Sequence, residues 1–151
     1  MYQRILVPID GSGTAARGLV EATRLAKDQG AKLRVIHVVN ELTMLAAYEG
    51  AIYSNELIEA LRESGRTILA RAAEQLKASG LQVESALLEA QGGNVGDTIV
   101  KDAEHWQADI IVLGTHGRRG LGRLVMGSDA EQVLHQAKVP VLLVRTLPEA
   151  K

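Results

Sequence analysis

The chain contains no cysteine. That absence excludes disulfides, zinc–thiolate centres and cysteine nucleophiles, and it fits a reducing compartment, the cytoplasm. Phenylalanine is absent too, and the aromatic residues are one tryptophan, Trp106, and three tyrosines, Tyr2, Tyr48 and Tyr53. A site that stacks a flavin or nucleic-acid bases on aromatic rings would find few partners here. No apolar run approaches the ~18 residues of a membrane span. The N-terminus, Met-Tyr-Gln-Arg-Ile-Leu-Val-Pro, enters a strand pattern at once, without the charged head and longer apolar stretch of a secretory signal. Charge of one sign is also lacking: 17 basic and 18 acidic residues leave a net charge of −1 and no basic footprint for DNA or RNA. What is present is 151 residues, 46% hydrophobic and 23% charged, the proportions of one soluble domain around one sizeable core.

Hydrophobic periodicity places nine elements. Strands are expected at residues 4–9 (RILVPI), 32–39 (KLRVIHVV), 81–89, 109–113 and 139–145 (VPVLLVR). Helices are expected at 14–29, where Leu19, Ala22, Thr23 and Ala26 share a side and Gly30 stops the pattern, and at 55–79, where Leu57, Ile58, Leu61, Ile68, Leu69, Ala72 and Leu76 form a core-facing stripe. A third helix opens with Asn94 as N-cap and runs to about His105, and a fourth spans 128–136. Residues 40–56 are the least readable; Met44, Leu45, Tyr48 and Ile52 can line one side of a short helix, and Met44, Tyr48 and Tyr53 can pack in the core or an interface or close on a ligand. The order β-α-β-α-β-α-β-α-β, with the continuous apolar runs ILVPI, VIHVV and IIVLG, implies one doubly wound parallel sheet covered by helices on both faces. Ligands of such sheets bind beyond the carboxyl ends of the strands, where strand order reverses. Two loops leave such ends carrying small polar residues, 10–14 and 114–128.

The second loop is unusual. In IIVLGTHGRRGLGRLVMGSDAEQV, residues 110–133, an apolar run stops at Gly114 and glycines recur at 117, 120, 122 and 127. Glycines let main-chain N–H groups crowd around an anion. A helix opening at Gly127-Ser128 adds free N–H donors and a partial positive charge. Ser128 can supply a hydroxyl, Arg118, Arg119 and Arg123 countercharge, and Asp10 can reach a ribose hydroxyl or a metal-bound water. Each feature also has a plain structural reading. Ser128 with Glu131 spells a capping box, the arginines suit solvated surface, Asp10 suits the cap of the next turn, and His116 suits a loop with no chemistry. His37 reads as a packed strand residue, His105 and His135 as helix-face residues, and Trp106 as helix-end packing. The spacing excludes a Walker A loop, since no G-x-x-x-x-G-K-[ST] is present. Asp10-Gly11-Ser12-Gly13-Thr14 after the first strand does not match the Rossmann fingerprint.

Gly114-x2-Gly117-x9-Gly127-Ser128 resembles the G-x2-G-x9-G-[ST] nucleotide signature of the universal stress protein family. RILVPIDGS, VIHVV, GNVGDTI at 93–99, ADIIVLGTHGRRGLGRLVMGSDAEQVL and VPVLLVR resemble family segments in family order, across nearly the whole chain. The resemblance implies a flavodoxin-like α/β fold with strand order 3-2-1-4-5 and membership of the nucleotide-binding branch. By position, Pro8 and Ile9 would floor the base, the backbone of Val38 would meet adenine, and Asp10 would lie at ribose and metal. Gly114, Gly117, Gly127 and Ser128 would cradle phosphate, with Arg118 beside them. The last strand, 139–145, would pair with its twin in a homodimer. Asp129 departs from the family pattern, where an apolar or hydroxyl residue often follows Gly-Ser. Asp suits a helix N-terminus by about 0.3–1 kcal/mol, but it repels a triphosphate unless Mg²⁺ or an arginine intervenes. AMP and ADP are therefore expected to compete with ATP.

Three functions are compatible with these residues: a cytoplasmic stress-response module that binds ATP and alters its affinity for a protein partner, a slow ATPase using a metal at Asp10, and a dimeric scaffold with a structural nucleotide. An efficient hydrolase needs a positioned base or water-orienting group, a metal clamp and charge stabilisation. His116 and Asp129 are the only candidate bases near the loop, and neither is well suited. Binding is the favoured reading.

Overall fold

The first strand, β1 (Arg4–Pro8), is the centre of the sheet. The computed structural model describes residues 1–41, 55–90, 92, 94–116 and 126–146. Within them β1 is followed by α1 (Gly13–Gln29), β2 (Lys32–Val39), α2 (Asn55–Leu76), β3 (Val83–Glu89), α3 (Val95–Trp106), β4 (Ile110–His116), α4 (Ser128–Gln136) and β5 (Val141–Thr146). The strands form one sheet in the order β3-β2-β1-β4-β5, and every pairing is parallel. This is the flavodoxin-like order that the family resemblance implied. Met44, Tyr48, Tyr53, the glycines and arginines of 117–123 and the tail from Leu147 lie outside the described residues.

Alternation along β1 builds two cores. Ile5, Val7 and Ile9 join Leu33 and Val35 of β2 and Ile110 and Val112 of β4 beneath α1 and α2. Leu6 joins Ile36, Ile111 and Leu113 beneath α3 and α4, where Ile99, Ala103, Trp106 and Val133 complete the layer. The largest wholly buried side chains come from β1, β2 and β4, with Val133 the one contribution from a helix. Each contributes about 1.5–3 kcal/mol through burial, so the central strands are the rigid frame on which the loops at their ends are hung. The edge strands are less covered, and Leu142 of β5 is 40% exposed.

Local signals set the helix ends. Ser12 caps α1, its Oγ accepting from Ala15 N–H at 3.2 Å. Gly30 ends that helix at φ 64°, a left-handed conformation that glycine adopts without strain, and its N–H reaches back to the carbonyls of Ala26 and Lys27. Asn94 caps α3 as expected, accepting from Asp97 N–H at 2.8 Å. Trp106 packs at the end of α3, where its Nε1 donates to Glu84 at 3.1 Å and the Arg4 guanidinium lies 4.5 Å above its ring.

Several expected boundaries move. β1 ends at Pro8, although Ile9 still donates to Ile36 O at 2.8 Å. The long helix closes at Leu76 and tightens into a 3₁₀ turn over Lys77–Ser79. β3 and β5 begin two residues later than expected, at Val83 and Val141. β4 does not stop at Gly114 but runs to His116, because Gly114, Thr115 and His116 pair with Val144, Arg145 and Thr146 of β5. The expected capping box does not form either: Gly127 is the N-cap of α4, with no side-chain cap, and Ser128 is already helical.

Candidate functional site

Strand order reverses beside β1. The chain leaving β1 enters α1 and returns as β2 on one side, whereas the chain leaving β4 returns through α4 as β5 on the other. A cavity of about 170 Å³ opens between these carboxyl ends. It continues into a wider crevice of about 790 Å³, and the two share Asp10, Val38, Val95 and Asp129. Together they have room for a small ligand, which typically occupies ~300–1,000 Å³.

The structure brings most of the expected residues to this place. Pro8, Ile9, Asp10, Val38, Gly114, Gly127 and Asp129 line the cavity, and Ser128 lines its continuation. Gly117 and Arg118 lie outside the described residues. Other lining residues escaped the sequence reading as individuals. Ser12 and Thr14 come from the start of α1, Val95 and Ile99 from α3, and Ala130 from α4. Val95 and Ile99 sit one helical turn apart just after the Asn94 cap, a pattern that can mark an apolar face turned toward the strand ends.

His37, the neighbour of Val38, ties the end of β2 to Ile9. The Nδ1 of His37 lies 2.7 Å from Ile9 O, and because a carbonyl only accepts, that nitrogen carries the proton. In a continuing parallel ladder the Ile9 carbonyl would accept from Val38 N–H instead. Val38 stays in register with Leu88 of β3, but on the β1 side no described backbone group accepts from its N–H. Pairing of the first strand with β2 thus reaches Ile9, whose N–H donates to Ile36 O at 2.8 Å, and stops short of the Val38 N–H, which stands at the cleft wall.

The start of α4 offers donors. Its first internal bond is Glu131 N–H to Gly127 O at 3.0 Å, so the N–H groups of Ser128, Asp129 and Ala130 precede the helical ladder, and no described side chain caps them. Uncapped first-turn amides and the helix dipole favour an anion. The two described glycines of the signature differ. A Cβ on Gly114 would lie 1.8 Å from Thr14 O, so packing of α1 against β4 demands glycine there. A Cβ on Gly127 would meet no described atom within 4 Å, and its backbone has an ordinary negative φ of −65°. Bare backbone at 127 therefore has no packing reason among the described residues.

Two carboxylates flank this anion-favouring end. Asp10 accepts from Ser12 N–H at 2.9 Å through Oδ1, which realises its expected turn-capping role and leaves Oδ2 available. Asp129, exposed as a residue, has its carboxylate partly stripped of water by the cleft wall. That desolvation, followed by repulsion from Asp10, raises its pKa. Ser12 and Thr14 share a hydroxyl contact of 2.9 Å on the α1 side. Donors, an open peptide, a hydroxyl pair and an acidic acceptor around an apolar floor suit a ligand with a flat heterocycle, hydroxyl groups and an anionic end.

The sequence model described as the universal stress protein family matches residues 1–145. The chain belongs to the universal stress protein family. Universal stress protein MJ0531 of Methanocaldococcus jannaschii is 35% identical over 147 residues, covering 96% of this chain and 83% of that one. The solved structure of MJ0577 superposes with a TM-score of 0.80 at 28% identity, covering 99% of each chain. An Archaeoglobus fulgidus universal stress protein in complex with dAMP matches with a TM-score of 0.64 at 27% identity, covering 94% of this chain and 97% of that one. A universal stress protein in complex with cAMP matches at 0.64 and 26% identity, covering 97% and 98%. No described helix of this universal stress protein is long and apolar enough to cross a membrane.

Proposed function

We propose that the chain is a single universal-stress-protein-like domain of the nucleotide-binding branch, a cytoplasmic stress-response module that binds an adenine nucleotide in the switch-point cleft. The observation that carries this reading is the uncapped start of α4 opening into the same cleft as the free peptide of Val38. Adenine lies against Val38 over Pro8 and Ile9, and Asp10 Oδ2 accepts from a ribose hydroxyl. The phosphates sit at Gly127 and on the first-turn amides that begin at Ser128, and the family signature assigns Gly117, with Arg118 beside it, to the same cradle. The dAMP and cAMP complexes of family neighbours support an adenine nucleotide as the ligand. Mg²⁺ would be held by Asp10 through the phosphates and would supply charge neutralisation.

Binding is the reading the cleft supports better than turnover, since phosphoryl transfer needs a positioned base or water-orienting group, a metal clamp and charge stabilisation together. Mass spectrometry of the protein purified without added ligand should detect an adenylate. Calorimetry on the stripped protein should give saturable heat with ATP, ADP or AMP, lost in Ser128→Pro and weakened in Asp10→Ala. Silence with all three at millimolar concentration would refute the proposal. Single-turnover hydrolysis should be slower than about 1 per second.

We also propose a homodimer through β5, whose outer edge is open and whose Leu142 is 40% exposed. An open apolar edge is an aggregation hazard that self-pairing removes. Leu142→Arg should shift the light-scattering mass from dimer to monomer, and an unchanged mass would exclude this edge.

A further inference from the structure

Asp129 lines both parts of the cleft, at the second residue of α4, beside the amides that face an anion. Asp10 lines the same walls from the end of β1. Neither carboxylate takes part in an ion pair among the described residues, whereas Asp97 and Asp102 of α3 are both paired, with Lys101 and Arg34. Both line one cavity, and after desolvation the charge of Asp10 helps to raise the pKa of Asp129. A helix start that favours an anion therefore carries two acids in its own first turn, Asp129 in the cleft and Glu131 beside His135, and Asp10 faces it from the cavity wall. Among the described residues that line the cleft, no lysine or arginine offsets these carboxylates.

We propose that Asp129, acting with Asp10, selects the ligand by phosphate charge, so that the cleft prefers an adenosine monophosphate over a free triphosphate and admits the triphosphate only with a divalent cation. The inference rests on the nucleotide-binding reading above and specifies its ligand class. A monophosphate carries a charge of about −2, and its single phosphate can sit on the α4 amides and go no further. A triphosphate adds charge that must lie along the same wall. Unit charges several ångström apart at a protein surface alter affinity by about five- to tenfold. One residue at the mouth can thus reorder AMP and ATP without changing the adenosine contacts.

Calorimetry on the stripped full chain tests this with AMP and ATP, each in chelator and then in excess magnesium. Three proteins are compared: the natural chain, Asp129→Asn, and Asp28→Asn. Asp28 lies on the exposed side of α1 and removes the same charge far from the cleft. In chelator the natural chain should bind AMP more tightly than ATP. Asp129→Asn should tighten ATP about five- to tenfold and AMP by less, while Asp28→Asn leaves the ratio where it was. Magnesium should close most of the gap in the natural chain and little in Asp129→Asn. An AMP-to-ATP ratio that Asp129→Asn does not change overturns the inference and leaves nucleotide binding intact. Failure of every nucleotide to bind the natural chain overturns both. If Asp129→Asn does not fold, the natural chain decides alone, because a ratio insensitive to magnesium refutes charge selection.

Discussion

Gly114→Ala separates two reasons for the same glycine. The family signature makes Gly114 part of a phosphate cradle, and the fold makes it a contact between β4 and the first turn of α1. A methyl at 114 would sit 1.8 Å from Thr14 O, 2.4 Å from Thr14 C and 2.9 Å from Ala15 N, all of them backbone atoms with no rotamer to change. Relief requires α1 to lift at its first turn, and Gly18 next along that helix already lies so close that its own Cβ would be 2.9 Å from Gly114 N. Overpacking of this kind destabilises by about 1–3 kcal/mol when side chains can adjust, and by more when backbone must move. About 3 kcal/mol is a fair expectation, or a fall in Tm of roughly 6–12 °C at 2–4 °C per kcal/mol for a domain of this length. The matched control is Gly13→Ala, at the first residue of α1, where a Cβ meets nothing within 4 Å. It should be neutral or stabilising by up to about 1 kcal/mol. Both variants are to be melted without nucleotide and in chemical denaturant. A Gly114→Ala protein as stable as the natural chain, but deaf to nucleotide, would refute the packing argument and leave the cradle as the sole reason for the glycine.

Trp106→Ala should cost about 3–5 kcal/mol, because the ring is 8% exposed, holds Glu84 through Nε1 and carries the Arg4 guanidinium; a loss below about 1 kcal/mol in urea denaturation would contradict that account. Asp129→Asn changes the pH dependence of stability in a defined sense. A carboxyl whose folded pKa is raised favours the fold most when protonated, below the unfolded pKa of about 3.9, and loses that contribution as pH rises through the raised folded value. The variant should therefore gain on the natural chain from acid toward neutral pH and then run parallel to it, and a flat difference between pH 3 and 7 would show that burial and Asp10 do not act on this group.

Much of the arrangement was readable beforehand because it depends on local rules. The alternation of apolar runs and helical stripes gave the element order, and Asn94 and Gly30 marked helix ends through bonds made within a few residues. The errors arose where a distant segment decided. Gly114 looks like a strand breaker, yet pairing with β5 keeps it in the strand and the approach of α1 requires it to be bare. Ser128 and Glu131 have capping-box spacing, but the backbone turns one residue earlier, at Gly127. Gly65 sits unremarked within the apolar stripe of α2, where a Cβ would come 2.6 Å from Leu87 and 2.7 Å from His37.

The amino-acid sequence alone determined the class of fold and the chemical types at the two loops, since periodicity, caps and glycine spacing act over a few residues. Only tertiary structure decided that the His37 ring donates to the Ile9 carbonyl, that Gly127 and not Ser128 opens α4, and that Asp10 and Asp129 confront each other across one cleft. Those three facts require β1, β2 and the start of α4 to converge at the switch point of the sheet. Such convergence is a property of how strands are ordered in space, and no local pattern along the chain encodes the distance between them.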